Sequence, residues 1–264
     1  MMKYRIFQTI KKLAILIGLY HSIRIIQRQF IVNQKVKWLG LTNFYSTILP
    51  DEKLNYILCF DIGANIGERT EALLALGCRV ISIEPNDDLS DELKARCKHY
   101  RSWNLCQIAV GSEPSLKELF IREYIGQASL LKNWGDGSIK TIKHVPVLPL
   151  SILIGHFGIP YYIKIDVEGY ENDVLDTLEF PLNLISFEFH LTESNINATK
   201  KCLNKIMSLG SYEINLCDAG EPRFSSSRWI SIEDFVDIFP SQVQAKYSMQ
   251  HSYADLYCRL ISGA

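Results

Sequence analysis

Short apolar runs that end on a polar residue alternate with amphipathic stretches along most of this chain. Tyr56-Ile57-Leu58-Cys59-Phe60 is continuously apolar and stops at Asp61, a pattern that predicts a strand buried on both faces. Apolar positions recur at helical spacing from Ile66 to Leu76 and stop at Gly77, a residue suited to the turn that ends a helix. A second strand pattern, Arg79-Val80-Ile81-Ser82-Ile83, ends at Glu84. Residues 87–98 read as a helix and 102–110 as a third strand closing on Ala109-Val110-Gly111. The rhythm breaks over 115–148, where short β-like pieces around Gly126, Gly135 and Gly137 predict an insertion over the sheet edge. It resumes with a strand from Tyr161 to Asp166, a helix from Tyr170 to Leu178, a strand from Leu184 to His190 and a helix from Ser194 to Leu209. Two last strand-like runs, Tyr212 to Cys217 and Tyr253 to Leu260, enclose a polar loop rich in Ser and Arg. Strands alternating with helices in this way predict a doubly wound α/β sheet.

The first strand–helix junction carries the clearest chemistry. In DIGANIG at 61–67, Gly63 and Gly67 are read as letting the backbone turn tightly and approach a ligand. Glu84 stands seventeen residues past Gly67, at the tip of the second strand, where dinucleotide-type folds grip ribose hydroxyls. A nicotinamide fingerprint needs a third glycine, but Asn65 stands two places after Gly63, and the carboxylate of Asp61 would repel a pyrophosphate. That carboxylate suits a cationic ligand end, such as an amino group near a sulfonium, so S-adenosylmethionine is favoured over NAD. The plain alternative is a junction whose glycines only ease the turn.

Two later strand tips gather polar groups. In KIDVEG at 164–169, Lys164 and Asp166 share one strand face, and Glu168 and Gly169 follow on the loop. In SFEFH at 186–190, Ser186, Glu188 and His190 alternate with two phenylalanines. Ligands of open α/β sheets bind beyond such strand ends. His190 is the first candidate for a general base because imidazole titrates near neutrality. Asp166 and Glu168 follow, as base or as orienters of substrate. The plain readings are an ion-pair network, with Lys164 neutralising Asp166 or Glu188, and a histidine that only braces the rim.

Charge divides the chain. The net charge is −1, yet residues 1–50 hold eight Lys or Arg and no acid, leaving twenty basic and twenty-nine acidic residues beyond. The N-terminus therefore reads either as a basic face that meets an anionic surface, such as a membrane periphery, or as a solvated face. Its apolar stretch Leu13 to Tyr20 is far shorter than the roughly 20 residues that span a bilayer. No clean cleavage site follows, and Lys3, Arg5, Lys11 and Lys12 do not share one helical face. Residues 1–50 are read as a helical extension that partly covers a catalytic domain over 51–264. Seven cysteines without a C-x-x-C pair, and with no metal-ligand spacing to the six histidines, point to buried thiols in a reducing cytoplasm and to no metal site.

DIGANIG, IEP at 83–85, AVG at 109–111, KIDVEGYE at 164–171 and SFEFH at 186–190 occur together in an order and spacing that resembles the FkbM family of S-adenosylmethionine-dependent methyltransferases. The resemblance is strong over roughly 55–190, and YADLYCRL at 253–260 is similar to a closing strand in part of the family. It implies a Rossmann-like sheet of seven strands, mostly parallel with one antiparallel strand near the C-terminus. It also implies O-methylation of a sugar, glycan or secondary-metabolite hydroxyl, with no nucleic-acid partner. The cofactor set then reads Asp61, Gly63, Ala64, Asn65, Gly67, Glu84, Gln107 and Ala109, and the catalytic set His190, Asp166 and Glu168. The family commonly has Thr-Leu-Asp before the KIDVEG strand, where this chain has Pro149-Leu150-Ser151. Two other classes stay open: an enzyme with Mg²⁺ or Ca²⁺ held by Asp166, Glu168 and Glu188, and a non-catalytic nucleotide-type binding module.

Overall fold

A strand buried on both faces must satisfy its backbone sideways, so the apolar runs assemble edge to edge. The computed structural model describes residues 38–50, 54–123, 127–135, 137–190, 193–218, 221–239 and 253–261. Helix α1 covers 38–48. After it come β1 (Leu58–Ile62), α2 (Glu68–Ala75), β2 (Arg79–Ile83), α3 (Asp87–Cys97) and β3 (Trp103–Cys106). The insertion supplies β4 (Ala109–Val110), β5 (Ser115–Arg122), β6 (Ala128–Ser129) and β7 (Ile139–Leu148). Then follow α4 (Leu150–Phe157), β8 (Tyr162–Ile165), α5 (Glu171–Leu175), β9 (Leu184–His190), α6 (Glu193–Leu209), β10 (Tyr212–Asp218), β11 (Ile230–Ser231), α7 (Ile232–Ile238) and β12 (Tyr253–Leu260).

The main sheet runs β11-β10-β12-β9-β8-β1-β2-β3. From β3 to β9 every pair is parallel, and β12 lies antiparallel between β9 and β10. β1 is the switch point. The chain leaves it toward β2 and β3 on one side and returns through β8 and β9 on the other, which opens a crevice beyond its C-terminal end. The expectation of one antiparallel strand is amended by β11, two residues long, which also runs against its neighbour at the far edge.

The strand expected over 102–110 divides. β3 closes the main sheet at Cys106, whereas Ala109 and Val110 pair with Val147 and Leu148 in a separate four-stranded sheet, β4-β7-β5-β6. Helices α4 and α7 were not anticipated, because each is only two turns long. α4 nonetheless buries Leu150, Leu153 and Ile154 at helical spacing. Pro149 caps it, and Ser151 is exposed, so the departure from the family pattern lies at a helix start.

The sheet has apolar cover on both faces. One layer includes Val174, Leu203 and Ile206; the other includes Leu73, Leu93 and Tyr162 together with Leu41, Phe44 and Tyr45 of α1. Phe44 and Tyr45 stack at an angle on Tyr257 and Tyr162, with ring centroids 5.3 and 5.8 Å apart. α1 is thus part of the core. The earlier basic and apolar stretches, Leu13 to Tyr20 among them, lie outside the described residues, as does Gly126. Among the described residues no helix is long and apolar enough to cross a membrane. All seven cysteines are free, and all but Cys106 are buried.

Candidate functional site

Three strand ends meet around a buried lysine. Register places Asp61 beside Lys164, and the Lys164 Nζ lies 2.8 Å from Asp166 Oδ2 and 3.9 Å from Asp61 Oδ1. Thr70 Oγ1 donates to Asp61 Oδ2 at 2.6 Å. Burial works against the Lys164 ammonium, but the two aspartates outweigh it and raise its pKa. Burial likewise pushes Asp166 up, and Lys164 more than reverses this, holding it below the usual carboxylate range. A buried charge persists when so paired. Lys164 therefore serves Asp61 and Asp166, and not Glu188.

Gly63 and Gly67 both turn the backbone as expected, with positive φ, and close packing gives each a further reason to lack a side chain. Gly63 has φ 75°, and a Cβ there would stand 1.7 Å from the Asp166 carbonyl oxygen. Gly67, with φ 82°, caps α2 and leaves no room because Leu93 Cδ1 would be 2.2 Å away. At both, protein meets protein, loop on strand end and helix on helix. Asp61 and Ala64 are buried beneath the loop, and neither they nor Gly67 line a cleft.

A cleft of about 630 Å³, open to solvent, lies above them. Gly63 and Asn65 form one edge, Glu84 and Pro85 the next, and Ile108 and Ala109 the floor. Leu119 and Ala128 of the second sheet line it with the adjoining Leu130, as do Asp166, Glu168 and Tyr170. Glu84 Oε2 accepts the Asn65 N–H and Oε1 the Asn86 N–H, each at 2.8 Å. Burial pushes the Glu84 carboxyl up to about 7 against the pull of those two N–H groups and Lys164. Gln107, expected among the cofactor residues, is exposed and outside the cleft; the break between β3 and β4 turns Ile108 inward in its place.

The loop after β8 is over-determined. Glu168 has φ 55°, a left-handed conformation costing a residue with a Cβ about 1 kcal/mol or more. Its carbonyl accepts Ser129 Oγ at 2.7 Å and its Oε2 accepts the Trp134 indole N–H at 2.9 Å. Glu171 Oε1 accepts the backbone N–H of Val167 and Gly169, each at 3.1 Å. Trp134 packs so closely on Gly169 that a Cβ there would be 2.3 Å from the ring. Arg122 fixes the segment that carries Trp134 by donating to the Gly137 and Lys132 carbonyls at 2.7 and 2.8 Å. Burial, then Asp166, raise the Glu168 carboxyl to about 7.

His190 does not line this cleft. It borders a second one of about 280 Å³ with Trp134, Glu171 and Glu188, and Trp134 packs edge to face on its ring, centroids 4.8 Å apart. Its Nε2 is 3.0 Å from Glu188 Oε2, and burial lowers its pKa. Burial, with Asp166 and Glu168 next, drives Glu188 well above the carboxylate range. Of the expected residues, Gly63, Asn65, Glu84, Ala109, Asp166 and Glu168 share one cleft. Trp134, Arg122, Tyr170 and Ile108 went unread because their roles arise only when the insertion folds over the strand ends.

A model of the family described as the methyltransferase FkbM domain matches residues 61–221, more than half of the chain. The chain is similar to the crystal structure of methyltransferase FkbM from Methylobacillus flagellatus KT, with 16% identity and a TM-score of 0.43 over 77% of this chain and 44% of that one. It therefore spans less than half of that protein's length. Precorrin-6y C5,15-methyltransferase from Geobacter metallireducens GS-15 is 13% identical, with a TM-score of 0.41 over 86% of each chain. An rRNA methylase from Streptococcus thermophilus is 10% identical, with a TM-score of 0.43 over 84% of this chain and 94% of that one. No curated protein matches in sequence.

Proposed function

The chain belongs to the FkbM methyltransferase family, and on that premise we propose that it transfers the methyl group of S-adenosylmethionine to a hydroxyl of a glycan or small molecule. The observation that carries the reading is the make-up of the first cleft. Glu84 lines it beside Gly63 and Asn65, and Asp166 and Glu168 line it on the other side. The donor set fits the cofactor. The Glu84 carboxyl oxygens each accept one backbone N–H and keep lone pairs with which to accept ribose hydroxyls, and Leu89, Ile108 and Leu119 offer apolar walls for a flat base.

When bound, S-adenosylmethionine supplies an electrophilic methyl group on a sulfonium. The residues present then have two tasks. Holding the acceptor oxygen in line behind the methyl is a positioning effect worth about 7–11 kcal/mol at best. Taking the hydroxyl proton needs a base at the rim. Asp166 is committed to Lys164, which leaves Glu168, fixed by Trp134 and Ser129, to receive it. His190 pairs with Glu188 beside the second cleft.

Turnover of methyl-labelled S-adenosylmethionine with a panel of sugars and polyols tests this. Glu168→Gln is expected to lower kcat by about a hundredfold or more while leaving affinity for S-adenosylhomocysteine near that of the parent. Methylation confined to nitrogen or carbon acceptors would sink the hydroxyl assignment, and unchanged kcat in Glu168→Gln would sink the base.

A further inference from the structure

We propose that Glu168, Glu188 and His190 form a binding site for a first-row divalent cation. One ligand atom from each lies within 4.8 Å of the other two, and the His190 Nε2 to Glu188 Oε2 distance is 3.0 Å. Nitrogen and oxygen ligands held about 2.0–2.2 Å from a common ion stand at most about 4.4 Å apart. Ligands that are not opposite each other stand closer, about 3–3.6 Å apart, so the His190–Glu188 pair already fits and Glu168 must approach by up to roughly 1–2 Å.

The fold builds this set deliberately. Glu188 and His190 are two apart on β9 and so share one face of the strand. Glu168 arrives from the adjoining loop, held in its strained conformation by Ser129 and Trp134. The Trp134 N–H to Glu168 is the kind of outer hydrogen bond that orients a ligating carboxylate. The second cleft, bordered by Glu188 and His190, leaves room for water or a substrate oxygen at the remaining positions.

Charge accounting gives an independent reason. Asp61 and Asp166 have Lys164, and Asp255 has Arg69. Glu84 and Glu171 each accept two backbone N–H groups. Glu168 and Glu188 have neither: one indole N–H serves the first and His190 serves the second, and among the described residues no Lys or Arg pairs with either. Two largely buried carboxylates side by side without a cation are costly. A divalent ion would take the place of the protons that otherwise neutralise such carboxylates. One imidazole with two carboxylates suits Mn²⁺ or Zn²⁺ better than Ca²⁺, which prefers an all-oxygen shell. Asp166, named in the carboxylate-only alternative, stays outside the set because Lys164 holds it.

Any role of the ion in turnover rests on the function proposed above, because Glu168 also lines the first cleft. Its binding does not rest on that reading. The full chain, freed of metal with a chelator, is titrated with Mn²⁺ by electron paramagnetic resonance and with Zn²⁺ by calorimetry. One saturable site per chain is expected, weakened at least tenfold in Glu188→Gln and in His190→Ala and kept within about twofold in Asp87→Asn, a change on the surface of α3. Melting curves identify a variant that fails to fold, and the isosteric Glu188→Gln keeps the test decisive if His190→Ala does. No saturable binding of either ion, or parental affinity in a folded Glu188→Gln chain, would overturn the site. S-adenosylhomocysteine is titrated separately. A chain that binds Mn²⁺ but not S-adenosylhomocysteine supports the site and refutes the function, and the converse result does the reverse.

Discussion

At the scale of single residues, Glu84 is the side chain whose ionisation bears most on ligand binding. Its carboxyl is raised to about 7 by burial, so it is only partly ionised at neutrality. Ribose hydroxyls donate more strongly to a charged acceptor. Affinity for S-adenosylhomocysteine is therefore expected to rise as pH passes upward through about 7, and Glu84→Gln should flatten that slope in calorimetry at pH 6, 7 and 8. Stability moves the other way. A carboxyl raised in the folded chain contributes stability that is complete below its unfolded value and is lost as pH rises through its folded one. Glu84→Ala should accordingly lose less melting temperature between pH 5 and 8 than the parent. Gly63 makes a steric prediction. Because a Cβ would strike the Asp166 carbonyl, Gly63→Val should unfold or strongly destabilise the chain, as read by thermal melts, rather than yield a folded protein that merely fails to bind. A normal melting temperature would return that glycine to the role of ligand clearance.

At the scale of elements, the insertion and the loop after β8 behave as one unit. Arg122→Ala removes two hydrogen bonds and leaves the Gly137 and Lys132 carbonyls without a partner, at about 1–3 kcal/mol. Its expected signature is a modest fall in melting temperature with a disproportionate fall in kcat, because Trp134 no longer holds Glu168. Equal loss of stability and full retention of kcat would show that the segment is only scaffolding. A second tie joins α2 to β12, where Arg69 Nη2 lies 2.6 Å from Asp255 Oδ2 and the side chains are 20% and 7% exposed. Asp255→Ala leaves a largely buried guanidinium without a partner, so chemical denaturation should report a loss of about 3–5 kcal/mol.

At the scale of the whole molecule, what was legible in the chain was whatever depends on local period. β2, β9 and β12 have the bounds their alternation or apolar runs predict, and Gly77 does stand at the end of α2 with φ 96°. Gly63, Asn65, Glu84, Asp166 and Glu168 meet at one cleft because the switch-point topology draws those strand tips together. Three-dimensional partners were not legible. Nothing near Gln107 shows that the strand breaks there to enter a second sheet, and nothing near His190 shows that Trp134, 56 positions earlier, packs on its ring beside a second cleft. Gly63 lines the cleft and also abuts the Asp166 carbonyl, a neighbour a hundred residues away that no local pattern reveals.

The claim on which the rest depends is that the first cleft holds S-adenosylmethionine with Glu84 at its ribose. Calorimetric titration of S-adenosylhomocysteine into the parent and Glu84→Ala chains tests it most directly, with NAD as comparison. Saturable one-to-one binding is expected in the parent, weakened by about 1.5–3 kcal/mol in the variant, which is roughly ten- to 150-fold. Tighter binding of NAD, or equal affinity of both chains for S-adenosylhomocysteine, would contradict it.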